Sequence, residues 1–266
     1  MHNIYTQTVD FWDHGICGSH LSQHQLGSLE FFEDFDKKFV TLYPYFSQVL
    51  DFSMYKNKKV LVIGLGSGYE LGQLAKVASK VVGLDISPQT VALANKRKEV
   101  YGFDYETVCC SATSMPFEDK SFDAVVSIGC LHHIPDTQDV VAEINRVLVD
   151  TGTISAMLYY KYSIRALLGI HLKRLFLQTY NGLTFAESIC LAYDGLGCPY
   201  VRLYSKKDVL NMFQSFDRFK FYVRNFDSTD FLPKIGNILP RNFYLNTIGK
   251  VLGLDLYFTA TKKVDN

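Results

Sequence analysis

Three glycines at alternate positions, Gly64, Gly66 and Gly68, close an apolar run that reads V-L-V-I-G-L-G-S-G from Val60 to Gly68, and Asp85 follows 17 residues later. A buried strand that breaks into a glycine turn and then a helix presents bare backbone to a ligand at the carboxyl edge of a sheet. A carboxylate at the tip of the next strand can hold both hydroxyls of a ribose. The chemistry implied is capture of an adenosine-containing cofactor. Spacing narrows it. A dinucleotide turn, G-x-G-x-x-G, needs a third glycine three residues after the second so that a pyrophosphate fits over the helix N-terminus. Tyr69 stands there instead, which counts against a nicotinamide dinucleotide.

Other residues that could do chemistry cluster in two places. His132 and His133 follow the fourth apolar run, and a histidine titrates near neutral pH, so either is a candidate base or orienting group. Four of the seven histidines, His2, His14, His20 and His24, lie near the N-terminus beside Tyr5 and Trp12. Tyr5, Trp12 and His14 are the candidates there for contacts to a second substrate. His20 and His24 would stand one helical turn apart, but two ligands without a third make no site, so no metal is expected. Six cysteines, at 17, 109, 110, 130, 190 and 198, lack C-x-x-C spacing and read as free thiols in a reducing compartment.

The elements that must position these residues follow from pattern. From Lys59 to Tyr160 strand-like and helix-like segments alternate, the mark of βαβ units and a parallel sheet. Strands are predicted over Lys59–Gly64, Lys80–Asp85, Tyr105–Cys110, Phe122–Ile128 and Thr153–Tyr160. Helices are predicted over Tyr69–Ser79, from Ser87-Pro88 through Val100 with serine as cap, and over Asp136–Val149, with Asp150-Thr151-Gly152 as the turn into the fifth strand. After Tyr160 the spacing predicts helices over Ser163–Thr179 and Ser205–Phe216, and strands over Phe219–Phe226 and Leu254–Lys262. A Pro- and Gly-containing loop and a short helix join the last two strands.

Composition sets limits. At 266 residues, 48% hydrophobic and 20% charged, the chain can bury a proper core in one domain with elaborations. It has no apolar run long enough for a transmembrane span and no basic-then-apolar leader, so a cytoplasmic protein is expected. Net charge is zero but uneven. Residues 1–160 hold 12 Lys+Arg against 19 Asp+Glu, a balance of −7, and residues 161–266 hold 15 against 8, or +7. Neither half is basic enough for a dedicated nucleic-acid binder. The basic, apolar stretch Ile164–Leu177 suits either a core-facing helix or peripheral contact with an anionic surface.

From Val60 to Tyr160 the chain resembles class I S-adenosylmethionine-dependent methyltransferases, in particular the ubiquinone/menaquinone-biosynthesis and small-molecule group. Five segments carry the likeness in order: the glycine run, V-V-G-L-D-I-S at Val81–Ser87, S-A-T-S-M-P-F-E-D-K-S-F-D-A-V-V-S at Ser111–Ser127, I-G-C-L-H-H-I-P-D at Ile128–Asp136, and E-I-N-R-V-L at Glu143–Leu148. The resemblance implies an α/β, Rossmann-like, doubly wound sheet of seven strands, mostly parallel with the last strand antiparallel. It implies a helical cap over residues 1–55, a cofactor-binding core over 56–160, a helical insertion on the acceptor side over 161–216, and completing strands over 217–266.

The same resemblance implies roles. Gly64, Gly66 and Gly68 would let the turn approach the cofactor, Asp85 would accept from both ribose hydroxyls, and Ile86 would lie on the adenine face. Ser111 and Ala112 would meet the adenine edge with Met115 nearby, and Ile128 to His133 would line the side facing the acceptor. Three positions depart from the family pattern. Val62 replaces an acid two residues before Gly64, Ser111 replaces the adenine-edge aspartate, and Asp150-Thr151-Gly152 replaces a proline-glycine-glycine turn. Glu70 could partly restore the lost counter-charge for the cofactor's ammonium group. The function expected is transfer of a methyl group from S-adenosylmethionine, leaving S-adenosylhomocysteine, to an O, N or C atom of a small apolar or aromatic molecule. The alternatives are a cofactor-binding protein with lost catalysis and a methyltransferase of a lipid-like substrate at a membrane surface.

Overall fold

The computed structural model describes residues 4–227 and 240–264. His2 and most of the loop expected between the last two strands lie outside the described residues. Three helices precede the sheet: α1 (Ile4–His14), α2 (Leu29–Leu42) and the short α3 (Phe46–Val49). The alternating core follows as β1 (Lys59–Ile63), α4 (Tyr69–Ala75), β2 (Lys80–Asp85), α5 (Pro88–Tyr101), β3 (Glu106–Cys109), β4 (Phe122–Ile128), α6 (Thr137–Val147) and β5 (Leu148–Tyr159). Beyond it come α7 (Ile170–Phe176), α8 (Phe185–Tyr193), α9 (Lys206–Met212), β6 (Phe216–Arg224), α10 (Arg241–Asn246) and β7 (Asp255–Lys262).

The seven strands form one sheet in the order β3-β2-β1-β4-β5-β7-β6. Pairing is parallel from β3 to β5, while β7 runs antiparallel to both β5 and β6. Because β2 and β4 flank β1, the chain reverses its winding there, and a crevice opens outside the carboxyl ends of β1 and β4. Gly64 and Gly129 leave the sheet at that point.

Two apolar layers sandwich the sheet, and the alternation of β1 shows why its sequence is unbroken. Leu61 and Ile63 face a core with Val125, Ile144 and Phe258, whereas Val60 and Val62 face one with Leu71, Leu74, Ala124 and Val126. A parallel strand covered on both faces needs apolar side chains at every position. Val62 therefore packs in the core, where the family pattern has an acid.

Local chemistry sets the helix starts. Ser87 accepts from the Thr90 N–H with Pro88 in the first turn, Ser28 accepts from Phe31 N–H, and Ser205 forms a reciprocal capping box with Asp208.

Four expectations are corrected. Asp150–Gly152 lies inside β5, because Leu148 already pairs with Phe122; the break survives as a register shift, with Thr151 at φ 63°. The helix expected over Ser163–Thr179 is divided into a π-helical turn at Arg165–Gly169, then α7, then a 3₁₀ turn at Gln178–Tyr180. The Ser163 hydroxyl accepts from the Ala166 N–H, which ties up the opening of this segment locally. Helix α8 was not expected, although T-F-A-E at Thr184–Glu187 is a capping box and forms as one. Strand β6 starts three residues early, at Phe216, with an irregularity between Asp217 and Lys220.

The N-terminal helices close over the crevice through specific bonds. Arg97, in α5 and only 1% exposed, pairs with Asp36 of α2 and donates to the Ser67 carbonyl at 3.1 Å. Asp13 accepts from the Ser87 hydroxyl at 2.5 Å, Tyr5 donates to Asp136 at 2.5 Å, and Ser67 donates to the Cys17 carbonyl at 2.9 Å. Among the described residues, no helix is long and apolar enough to cross a membrane.

Candidate active site

A cavity of about 650 Å³ occupies the crevice, bounded by the carboxyl ends of the parallel strands, the cap and the segment after β5. Its first half is backbone. Gly64, Gly66 and Gly68 all take positive φ, at 81°, 48° and 77°; Gly64 and Gly66 line the cavity, whereas Gly68 does not and packs instead against Arg97, whose Cδ an added Cβ would meet at 3.0 Å. A Cβ on Gly64 would lie 2.4 Å from the Cβ of Cys130, so the turn admits no side chain there. The next strand tip supplies charge. Asp85 accepts from Leu65 N–H at 2.8 Å and from Ser87 N–H at 2.9 Å, which aims its carboxylate at the cavity wall. Burial pushes Asp85 above the usual carboxylate range against the pull of those donors.

Glu70, in the first turn of α4, lines the same half, and burial raises it to about 7. A buried acid held near the edge of ionisation at the cavity wall can be paired by a cationic group of a ligand. Ile86, Ser111, Ala112 and Ile128 complete this end, and Met115 is buried behind it. The Ser111 oxygen is engaged in a local turn with Thr113, whose hydroxyl lies 2.8 Å away. This half has the features that adenosylmethionine would need: bare backbone for close approach, a carboxylate at a strand tip, a largely apolar slot and a second buried acid.

The second half is aromatic and polar. Tyr5 and Trp12 line it from α1, and His20 joins them from the following turn. His14 does not. It is exposed and its Nδ1 bonds the Asp10 carbonyl of its own helix at 2.7 Å, because i, i+4 spacing turns it along the helix and away from the cavity. The two histidines after β4 also part company. His133 lines the cavity with Trp12 edge-on at 5.0 Å. His132 is fully buried against Tyr159, 3.8 Å between ring centroids, and burial holds it well below the usual histidine range. It cannot touch an acceptor.

Residues not singled out from sequence complete this half. Tyr159 at the end of β5 donates to Asp194 at 2.8 Å, and Tyr193, Arg165, Arg241 and Asp255 also line the wall. Burial pushes Asp194 up and raises Asp255 to about 7, with Asn225, Arg165 and Arg241 pulling Asp255 back. A further grouping has no spacing signature: His133, Asp194 and Cys198 bring ligand atoms within 4.8 Å of one another. Asp194 and Cys198 are four residues apart and His133 lies 61 residues before Asp194, so nothing in the sequence links the three.

Comparison with known proteins agrees with this geometry. Residues 61–156 match the family model described as "Methyltransferase domain". The demethylmenaquinone methyltransferase of Tropheryma whipplei is 32% identical over 97 residues, 36% of this chain and 40% of that protein. The 24-methylenesterol C-methyltransferase 2 of Arabidopsis thaliana is 37% identical over 94 residues, 34% of this chain and 26% of that protein. The chain thus matches less than half the length of these relatives. Among solved structures, the YcgJ protein of Bacillus subtilis superposes with a TM-score of 0.57 at 19% identity, covering 84% of this chain and all of that one. The sheet order, the glycine turn and these matches agree on a likeness to methyltransferase domains over residues 61–156.

Proposed function

We propose that the chain transfers a methyl group from S-adenosylmethionine to an oxygen, nitrogen or carbon atom of a small, largely apolar or aromatic metabolite. The observation that carries this reading is continuity: one cavity runs from the glycine turn and Asp85 to His133, Tyr159 and Tyr193. The cofactor's sulfonium supplies an already activated methyl group, so the protein's task is alignment of an acceptor lone pair for in-line displacement. Asp85 would hold the ribose, Glu70 the ammonium, and Ile86, Ser111 and Ala112 the adenine. Trp12, Tyr5, Tyr159 and Tyr193 would pack the acceptor and keep water out. His133 would orient it or, for a protic acceptor, deal with its proton. The six free thiols among the described residues suit the reducing cytoplasm. Calorimetry with adenosylmethionine and adenosylhomocysteine, followed by a labelled-methyl screen of small-molecule extracts, tests the reading. Tight cofactor binding with no labelled product across the screen would favour a protein that has lost catalysis.

A second reading, a lipid-like acceptor met at a membrane surface, draws on one patch. Leu167, Leu175, Phe176 and Leu177 stand 51%, 74%, 66% and 47% exposed on the segment that follows β5, beside Lys173. The Arabidopsis relative is a sterol methyltransferase by name. Failure of the full chain to sediment with anionic vesicles would end this reading.

A further inference from the structure

His133, Asp194 and Cys198 come from three separate places: the turn after β4, the end of α8 and the loop that follows it. Their ligand atoms nevertheless lie within 4.8 Å of one another. We infer that this cluster binds a divalent transition-metal ion of the zinc class, held on the wall of the acceptor half of the cavity. Metal binding here does not depend on the proposed methyl transfer, so the two can fail separately.

The side chains are prepared for a cation. The Nδ1 of His133 lies 3.0 Å from the Tyr200 carbonyl, which can only accept, so Nδ1 carries the proton. The lone pair is then on Nε2, which faces Asp194 at 3.8 Å. A backbone carbonyl that fixes the tautomer and aims the other nitrogen is the outer-shell arrangement of metal-ligating histidines. In Asp194, Oδ1 accepts the Tyr159 hydroxyl at 2.8 Å, whereas Oδ2 is buried without a hydrogen-bond partner. The Asp194 side chain is only 9% exposed, so this orphaned oxygen is costly as it stands and is free to ligate. Cys198, 8% exposed, adds sulfur, and its thiol donates to the Tyr200 carbonyl at 3.7 Å, the same carbonyl that holds His133 Nδ1.

The donor set selects the ion. One imidazole, one carboxylate and one thiolate suit zinc and disfavour magnesium and calcium, which prefer oxygen alone. With metal–ligand distances of about 2.0–2.3 Å, the edges of a tetrahedron are roughly 3.3–3.8 Å. Nε2 lies 3.8 Å from Asp194 Oδ1, within that span, and all three ligand atoms lie within 4.8 Å of one another, so small side-chain movements close the set around an ion. Loss of the thiol proton to solvent leaves a thiolate and a carboxylate that together balance the 2+ charge. Three protein ligands leave a fourth position. His133 and Asp194 line the cavity, so that position opens toward it, as in zinc sites that take a water or a substrate atom. An acceptor bearing a coordinating oxygen or sulfur is the substrate class this favours.

The test uses the full chain, stripped with chelator and dialysed against Zn²⁺ or Co²⁺, then against metal-free buffer. The expected result is about one equivalent of metal per chain and a thiolate-to-cobalt charge-transfer band. Cys198→Ser should abolish that band, and Asp194→Asn and His133→Gln should each weaken binding by a factor of at least about 10–100, the range for disturbed metal shells. Thermal melting and adenosylhomocysteine affinity on the same preparations show that each variant is folded. Retention of less than half an equivalent by the wild type, or equal retention in folded Cys198→Ser and Asp194→Asn, would overturn the site. Adenosylhomocysteine binding in either case leaves the cofactor assignment standing; its absence from a metal-binding wild type would remove that assignment alone.

Discussion

The carboxylate of Asp85 accepts a hydrogen bond from the backbone N–H of Leu65 at 2.8 Å, joining the tip of β2 to the middle of the glycine turn that leaves β1. One side chain therefore shapes the turn and offers its remaining lone pairs to a ribose. Asp85→Ala should weaken adenosylmethionine binding by about 1.5–3 kcal/mol, or about 10- to 150-fold, the worth of charge-assisted hydrogen bonds. Asp85→Asn should fall between, because an amide accepts through one oxygen only. Calorimetric titration decides, and an unchanged affinity in Asp85→Ala would remove Asp85 from the site.

Gly64 pays two separable penalties if it gains a side chain. Its φ of 81° disfavours any L-residue, and an added Cβ meets Cys130 at 2.4 Å. Gly64→Ala should cost about 2 kcal/mol or more, from left-handed strain and overlap together. Pairing it with Cys130→Gly in a double-mutant cycle relieves the overlap and leaves the strain. Denaturant midpoints that show no coupling between the two positions would mean that the turn moves aside.

How far the sequence could be read depended on whether the signal was local. Ser87-Pro88, the unbroken β1 run and the Lys80–Asp85 strand are dictated by caps and burial within a few residues, and they appear where expected. The cofactor half is legible for the same reason, since its backbone and its carboxylate sit at strand ends. The acceptor half is not. Tyr159, Asp194 and Arg165 meet only because β5 ends beside α8 and a π-helical turn, and no periodicity encodes that meeting. His132 and His133 are adjacent in sequence yet one is core and the other cavity, a split decided by how the 3₁₀ turn at Leu131–His133 leaves the sheet.

Arg97 ties the cap to the cofactor turn. It is buried, ion-paired with Asp36 and bonded to the Ser67 carbonyl, and it stacks over Phe32 at 5.0 Å. Removing one partner leaves a buried charge alone, so Asp36→Ala should destabilise the fold by about 3–5 kcal/mol. A double change of Asp36→Leu with Arg97→Met should recover most of that, because no charge is then stranded. Urea unfolding of the three proteins checks the order, and a double variant as unstable as Asp36→Ala would show that the pair does more than neutralise itself.

Glu70 gives the site a pH dependence of definite sign. Burial raises it from 4.5 to about 7, so the folded protein keeps a proton that the unfolded chain releases. The stability linked to Glu70 is therefore complete below pH ~4.5 and is lost as pH rises through about 7, by roughly 2–3 kcal/mol after allowance for partial exposure. Asp255, also raised to about 7, contributes a decline of the same sign, so the comparison with Glu70→Gln isolates the share of Glu70. Denaturant unfolding from pH ~5 to ~8 should show a shallower fall in the variant. A cationic ammonium group held by Glu70 reverses the preference, because it favours the carboxylate. Adenosylmethionine affinity should then rise with pH up to about 7 and level off, with proton release on binding, and Glu70→Gln should lose that component. An affinity profile identical in wild type and variant would place the ammonium group elsewhere, whatever the unfolding curves show.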